Sequence, residues 1–142
     1  MEAVATKYKD KVTFVFVYCR EAHPEGDRLK TTTKDGQAIP QALTSRERKA
    51  MAENFCKDMQ LARRILVDEF GDKSVQRLYG GMPNPTLVID VDGKVALKMA
   101  WTGGEELDRY LNQFLAKGGR FDLELAKSVK VQGPGKQKEK GK

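Results

Sequence analysis

The sequence predicts an α/β domain, and three observations favour that class. An uninterrupted apolar run at Val12–Cys19 is typical of a strand buried on both faces of a sheet. Two segments with capping-box residues at their starts have the apolar spacing of amphipathic helices. An Asp92-Gly93 turn between two apolar runs predicts a β-hairpin. With 142 residues, the length fits one domain with a core of its own.

The N-terminal half is predicted to alternate helix and strand. Met1–Lys11 has apolar residues at helical spacing and no capping residue in front, which is typical of the last turns of a helix. After the buried strand, Leu29–Ala42 lacks an apolar period and predicts a long loop. Thr44 and Glu47 then form a capping box for a helix over 45–59, whose apolar stripe consists of Met51, Phe55 and Met59. Cys56 adjoins that stripe and is expected to be a core residue.

The rest of the chain is predicted to form a strand, a short helix, a hairpin and a last helix. The strand is Arg64–Asp68, and Asp72 is expected to cap the short helix, with Val75, Leu78 and Tyr79 facing inward. The hairpin joins strands over 86–91 and 94–100. Thr102 and Glu105 form a second capping box, and the helix that follows has an apolar stripe of Leu107, Tyr110, Leu111, Phe114 and Leu115.

The net charge of +6 is concentrated at the C-terminus. The stretch 127–142 has six lysines and one glutamate, which leaves the remainder nearly neutral. We therefore divide the chain into a domain over 1–119 and a basic, low-complexity tail over 120–142, which we expect to be largely disordered because it has too few apolar residues to offset the entropy of ordering. The stretch 127–142 has no aromatic residue for base stacking, so it does not predict a specific nucleic-acid partner.

Cysteine usage and hydropathy predict a cytoplasmic protein. The first residues lack the apolar run of a signal peptide, and no stretch approaches the roughly 20 apolar residues of a membrane span. Two cysteines, Cys19 and Cys56, lie inside predicted elements and suit a reducing compartment. They lack the spacing of a zinc site, so neither a metal nor another cofactor is predicted.

A polar cluster follows the first strand and predicts the functional site. Pro24 and Gly26 end regular structure there, and His23 is the only histidine. The polar residues that follow the apolar run are Arg20, Glu21, His23, Glu25, Asp27 and Arg28. The carboxyl edge of an open α/β sheet is the usual place for a site. The alternative interpretation is a solvated loop with an incidental histidine.

The order of the predicted elements resembles the thioredoxin fold, a three-layer α/β/α sandwich. In that fold a cis proline precedes the third core strand and faces the active-site thiol. Pro85, immediately before the strand at Thr86, is the candidate for that position, and Pro83 competes with it because the X-Pro-X-Pro spacing does not decide between the two bonds.

The segment Tyr18-Cys19-Arg20-Glu21-Ala22-His23-Pro24 makes the resemblance more specific. Together with SRERKAMAENF, LVDEFGDKSVQRLYGG and the hairpin, it is similar to the iodothyronine deiodinase family, and to bacterial members in particular. The resemblance covers about Met1 to Leu115. It implies an oxidoreductase in which a cysteine or selenocysteine is the nucleophile, with Glu21 and His23 beside it. A neighbouring imidazole can take the proton of a thiol or selenol while a carboxylate orients the ring.

The family's nucleophile would precede Met1, at the end of a strand that leads into the predicted first helix. The resemblance therefore implies a thioredoxin-like fold without its first β-α unit. Two further departures, no histidine near Gln41–Arg48 and a shortened segment at Trp101–Gly104, make iodothyronine an unexpected substrate. Cys19 is a third catalytic candidate, but an apolar setting would raise its pKa and make the thiol unreactive.

Two functions thus remain open. The first is a deiodinase-like thiol or selenol oxidoreductase, which would use a thiol reductant or a small-molecule substrate. The second is a non-catalytic, redoxin-like binding or structural module. A thiol peroxidase that uses Cys19 is a third interpretation, and it requires Cys19 to react faster than Cys56. Without the first strand of the thioredoxin fold, the strands over 12–19 and 86–91 would have unpaired inner edges, which predicts that the chain alone is either poorly stable or a homo-oligomer through those edges.

Overall fold

The computed structural model describes residues 1–61, 63–80 and 84–129, and these residues form a mixed α/β structure. The chain divides into two compact units. The N-terminal unit covers Glu2–Gly81, and the C-terminal unit covers Met82–Lys142 together with Met1. Each unit contains one two-stranded sheet. The α/β class predicted from the sequence is confirmed.

The N-terminal unit contains three helices and a parallel pair of strands. In chain order these are α1 (Glu2–Lys7), β1 (Val15–Tyr18), α2 (Ser45–Met59), β2 (Arg64–Val67) and α3 (Val75–Tyr79). Strand β1 pairs with β2 in parallel, with Val15 opposite Arg64 and Tyr18 opposite Val67. A parallel pair needs a long crossover connection, and the segment that contains α2 provides it.

Strand β1 is shorter and more exposed than the sequence predicts. The expected strand covered 12–19 and was buried on both faces, whereas the observed one has four residues, of which only Tyr18 is buried. Val15 is 40% exposed. Among the described residues β1 has a single ladder neighbour, β2. Val15 and Val17, which share one face of the strand, are exposed and half-buried, so that face is covered less than the apolar run suggested. The prediction of burial on both faces was wrong.

Helix α2 confirms the predicted helix at its predicted ends. The Thr44 hydroxyl accepts a hydrogen bond from the Glu47 amide, and the Glu47 carboxylate accepts one from the Thr44 amide, which completes the capping box. The helix ends at Met59, and the C-cap residue Gln60 has a left-handed backbone with φ 50°. Phe55 packs against Phe16 and Tyr18 of β1 at ring-centroid distances of 5.5 and 5.8 Å. One face of β1 is thus covered by α2.

Helix α3 differs from its prediction in its cap and in its buried face. Ser74, and not Asp72, is the N-cap, and its hydroxyl accepts from the Arg77 amide at 3.2 Å. Asp72 instead forms an ion pair with the Arg77 guanidinium. Leu78 and Tyr79, expected to face inward, are 62% and 42% exposed. A helix of five residues is too short to bury a complete apolar stripe.

The C-terminal unit contains the predicted hairpin and two helices. Strands β3 (Thr86–Ile89) and β4 (Val95–Met99) pair in antiparallel fashion, and helices α4 (Gly104–Ala116) and α5 (Leu123–Ser128) follow. The predicted stripe of α4 is confirmed, since Leu107, Tyr110, Leu111 and Phe114 are buried and Leu115 is half-buried. The Tyr110 hydroxyl donates to the Ala96 carbonyl of β4 at 3.2 Å, which joins the helix to the hairpin.

The second capping box was predicted wrongly. Helix α4 begins at Gly104 with Gly103 as its N-cap, and no side chain bonds to the cap. The Thr102 hydroxyl is used elsewhere, because it lies 2.5 Å from the Thr86 hydroxyl and donates to the Asn84 carbonyl at 2.7 Å. Thr102 therefore joins the residues after β4 to Asn84 and Thr86 at the start of the hairpin by hydrogen bonds.

The segment after Gly119 is ordered where the structure describes it. Helix α5 begins at the Asp122 cap, and Leu125 is buried. The remainder of the predicted tail, 130–142, lies outside the described residues, as does Pro83. Pro85 directly precedes β3, as expected, and its cis conformation stays a prediction. Within the described ranges, no helix combines the length and the apolar character that a membrane crossing requires.

Candidate functional site

The carboxyl ends of β1 and β2 lie at one edge of the N-terminal unit's sheet because the two strands run parallel. Cys19, Glu21 and His23 follow β1, and Asp68 follows β2. The Asp68 amide donates to the Tyr18 carbonyl at 2.9 Å, so the two chain segments remain paired as they leave the strands. This edge is where the sequence predicted a site.

The loop after β1 is held in place by its own backbone. The His23 carbonyl accepts from the Thr31 amide at 2.7 Å, and the Glu25 amide donates to the Ile39 carbonyl at 2.7 Å. An isolated antiparallel bridge joins Thr32 to Ala38. The predicted loop therefore folds back on itself beside His23 and fixes the backbone position of that residue.

His23 is paired with Asp27. The imidazole Nδ1 lies 3.2 Å from Asp27 Oδ2, and the two side chains are 45% and 38% exposed. The Leu29 amide bonds the other oxygen, Oδ1, at 3.2 Å. That amide, followed by the contact with His23, lowers the pKa of the Asp27 carboxyl. A carboxylate on Nδ1 orients the ring and leaves Nε2 as the nitrogen that faces a reactant.

Glu21 is not the carboxylate that contacts the imidazole of His23 in the structure. The expectation was that Glu21 and His23 face one site if the chain stays extended, but the backbone bends at Ala22 and His23. Among the described contacts the imidazole is paired with Asp27 and not with Glu21. Glu21 is half-buried, and that burial raises its pKa. The four-residue spacing of His23 and Asp27 across the Pro-Gly turn was the signal that the sequence reasoning missed.

Cys19 has the environment of an unreactive thiol. Its Sγ donates a weak hydrogen bond to the Val17 carbonyl at 3.7 Å. Burial, followed by the negative charge of Asp68, raises the pKa of the Cys19 thiol to about 11. The sequence predicted this direction. At neutral pH the thiolate is scarce, so Cys19 does not suit the nucleophile's role.

Asp68 and Arg48 form the structural support behind the site. The buried Asp68 carboxylate accepts from the amides of Val75 and Gln76 at 2.7 and 3.0 Å. Arg48 Nη1 donates to the carbonyls of Asp68 and Glu69 at 2.9 and 3.1 Å, and its guanidinium lies 3.5 Å from the Phe70 ring centroid. These contacts join α2 and α3 to the end of β2. Each oxygen of the Asp68 carboxylate accepts one of the two amide hydrogen bonds from α3.

Among residues 1–61, 63–80 and 84–129, no three or more His, Cys, Asp or Glu side chains are grouped in a way that could hold a metal ion. What the site offers chemically is one imidazole with a carboxylate on Nδ1, at a partly exposed edge. That pair can accept or deliver a proton.

Comparisons of the sequence with protein-family models and with curated proteins, and of the structure with solved structures, found no match.

Proposed function

We propose that the chain is a thioredoxin-fold oxidoreductase of the deiodinase type, cytoplasmic, in which the edge after β1 handles the proton of a thiol or selenol. His23 is the group that moves the proton, and Asp27 is the carboxylate that orients it. The observation that carries the proposal is the 3.2 Å contact between His23 Nδ1 and Asp27 Oδ2 at the carboxyl end of a parallel strand.

The order and pairing of the elements support the thioredoxin-like assignment. A parallel strand pair with a crossover helix is followed along the chain by an antiparallel hairpin and a helix. Pro85 stands immediately before the first hairpin strand, the position where that fold places its cis proline. The Tyr18–Pro24 motif supports the more specific resemblance.

The proposal requires a chalcogen nucleophile that this sequence does not supply. Burial and Asp68 raise the pKa of the Cys19 thiol, which disfavours the thiolate. Cys56 lies within α2, far along the chain from His23. We propose that the nucleophile is a cysteine or selenocysteine encoded upstream of Met1, and that a thiol reductant regenerates it.

A second candidate function is a non-catalytic, redoxin-like module. The observation that favours it is the same raised pKa of Cys19, because it disfavours the thiolate of the cysteine that lies at the edge after β1. In that case the edge after β1 would serve for binding. The two functions differ in whether His23 can activate a thiol placed beside it.

The variant Asp27→Cys tests that point, because it replaces the group that contacts His23 Nδ1 with a thiol. If His23 accepts a proton, the ion pair of imidazolium and thiolate lowers the pKa of the introduced thiol by about 1–2 units, as measured by thiolate absorbance at 240 nm. Asp35→Cys, in an exposed turn of the same loop, is the matched control. Equal thiol pKa values in Asp27→Cys and in Asp27→Cys combined with His23→Gln would overturn the role of His23.

The nucleophile is tested by reading the gene in frame about 40 codons upstream of Met1, with UGA taken as selenocysteine as well as stop. We expect a strand pattern that ends in Thr-Cys or Cys-x-x-Sec. Unrelated sequence there would favour the non-catalytic module.

A further inference from the structure

The hairpin of β3 and β4 has one buried face and one exposed face. Side chains alternate between the two faces along each strand, and Val88 and its ladder partner Leu97 are buried. The opposite face therefore carries the ladder pairs on either side of that one, Leu87 with Lys98 and Ile89 with Val95. Ile89 and Val95 are 51% and 42% exposed, so apolar side chains face outwards here.

The turn beside this face adds an apolar side chain and a cation. Val91, which is 68% exposed, precedes the Asp92-Gly93 turn, and Lys94 follows it. Within the described part of the C-terminal unit, Lys94 and Lys98 belong to no ion pair, whereas every other lysine or arginine has a carboxylate partner: Arg109, Lys117, Arg120 and Lys127. We call Ile89, Val91, Lys94, Val95 and Lys98 the hairpin surface.

The charges of the hairpin surface decide what can cover it. A second copy of the chain would bring the same two lysines together, and like charges that face each other are destabilising. The cores of protein interfaces are depleted in lysine and enriched in aromatic residues and arginine, none of which the hairpin surface has. Aliphatic side chains beside lysines suit a lipid surface, where the lysine stems lie on apolar groups and the ammonium groups reach the phosphates.

We propose that the hairpin surface binds the surface of a bilayer that contains anionic lipids. Ile89, Val91 and Val95 enter the boundary between headgroups and acyl chains, and Lys94 and Lys98 contact lipid phosphates. A small apolar contact alone gives weak binding, and a second, electrostatic signal is needed. The sequence supplies that signal in the same unit, because the stretch 130–142 after α5 has five lysines and one glutamate.

Membrane binding does not rest on the proposed function, and co-sedimentation of the full chain with lipid vesicles tests it. We expect the partition constant on vesicles of phosphatidylglycerol and phosphatidylcholine in equal parts to exceed that on pure phosphatidylcholine at least about tenfold, because the lysines attract anionic headgroups. Salt at about 0.5 M should remove most of that difference, since it screens charges at the surface.

Val91→Asn tests the apolar part of the hairpin surface, because asparagine suits a turn and removes the apolar side chain. We expect it to lower the partition constant on the anionic vesicles about fivefold. Ile89→Thr, which keeps a strand-forming residue, should also lower it. Leu78→Asn in α3, where the leucine is 62% exposed, is the matched control and should leave the partition constant unchanged.

Lys98→Gln tests the charged part of the hairpin surface and should lower the same partition constant about fivefold. Lys98→Arg keeps the charge and should stay within about twofold of the unmodified chain. Lys49→Gln, at an exposed position of α2, changes the net charge equally and should have little effect.

Three results would each overturn the proposal: no binding to the anionic vesicles, equal binding to both lipid compositions, or variants of the hairpin surface that lose no more binding than their controls. Binding to polyglutamate that Val91→Asn weakens, in a chain that does not bind vesicles, would identify an acidic polypeptide as the partner instead.

Discussion

The two units of this chain differ in what fills their interiors. In the C-terminal unit the least exposed side chains are apolar or aromatic: Met99, Leu107, Tyr110 and Leu111. In the N-terminal unit the buried set includes Arg48 and Asp68, and its apolar members are Tyr8, Tyr18, Ala42 and Ala52. The three buried polar atoms without a hydrogen-bond partner among the described residues, Tyr18 Oη, Arg48 Nε and Arg63 Nε, also lie in the N-terminal unit.

This difference indicates that the two units are stabilised in different ways. Apolar burial stabilises in proportion to the area removed from water, whereas a hydrogen bond contributes about 1 kcal/mol net and a buried unpaired polar atom costs free energy. The C-terminal unit therefore has the stronger source of stability. The N-terminal unit contains the His23–Asp27 pair, on a support of polar contacts.

The largest expected change in the free energy of unfolding follows from the removal of a core side chain in the C-terminal unit. Leu111→Ala should lower the free energy of unfolding by about 2–5 kcal/mol, because it leaves a cavity next to α4's other buried residues. Leu66→Ala in β2, where the side chain is 43% exposed, is the matched control and should cost less than about 1 kcal/mol. Trp101, the single tryptophan, lies in the C-terminal unit and reports urea unfolding by fluorescence. Equal losses would contradict the comparison.

A second prediction concerns water exclusion around β1. With a pKa near 11 against an ordinary value of 9.0, the Cys19 thiolate should be about a hundredfold scarcer at pH 8 in the folded chain than in the urea-unfolded chain. Iodoacetamide should therefore alkylate Cys19 slowly in the folded state, as followed by peptide mass spectrometry at chain concentrations too low for association. Comparable rates in the two states would show that the thiol is not shielded.

The same pKa shift has a consequence for stability. The folded chain binds the Cys19 proton more tightly than the unfolded chain does. The contribution of this proton to the free energy of unfolding is therefore fully present below pH 9.0 and is lost as the pH rises towards about 11. Cys19→Ser should remove that loss.

A third prediction concerns the polar support of the N-terminal unit. Arg48→Met removes the donors to the Asp68 and Glu69 carbonyls and the contact with Phe70. It should lower the free energy of unfolding by about 1–3 kcal/mol. Arg46→Met, on an exposed position of the same helix, should have little effect. Hydrogen exchange of the Asp68 amide measures both, since that amide bonds Tyr18 and connects the strand ends. Similar exchange in the two variants would mean that Arg48 does not stabilise this region.

The sequence predicted the elements well where a local signal decides them. The capping box of Thr44 and Glu47 and the Asp92-Gly93 turn each place polar atoms within a few residues of their partners, and both α2 and the hairpin are confirmed. The stripe of α4 was also sufficient, because 13 residues present a complete face to the hairpin.

Predictions failed where partners distant in sequence decide the outcome. Thr102 has the spacing of a capping residue, but Asn84 and Thr86 take its hydroxyl. The apolar content of Val12–Cys19 suggested two covered faces, but Phe55 of α2 packs on the face of Phe16 and Tyr18, and Val15 on the other face is 40% exposed. Which elements pack on each face is not contained in a local pattern. At the site, Asp27 pairs with His23 because the chain turns between them. The sequence placed both residues in one polar cluster, but it named Glu21 and not Asp27 as the carboxylate beside the imidazole.

The variant with the smallest expected effect, Asp90→Asn, tests whether the C-terminal unit also depends on a polar contact. The Asp90 carboxylate accepts from the amides of Asp92, Lys94 and Phe121, and these bonds, that of Lys94 above all, lower its pKa below 3.8. The folded chain thus binds the carboxyl proton of Asp90 more weakly than the unfolded chain does. Its stabilisation is present above pH 3.8 and is lost as the pH falls through the folded value.

Asp90→Asn should therefore lower the free energy of unfolding of the C-terminal unit at pH 6. It should also reduce the further loss of that free energy between pH 5 and 2. Urea unfolding followed by Trp101 fluorescence measures both. Asp35→Asn, in the other unit's Asp-Gly turn, should leave that loss unchanged. If Asp90→Asn leaves the loss between pH 5 and 2 as large as in the unmodified chain, the carboxylate does not fasten the hairpin to the Phe121 segment, and apolar burial alone stabilises the unit.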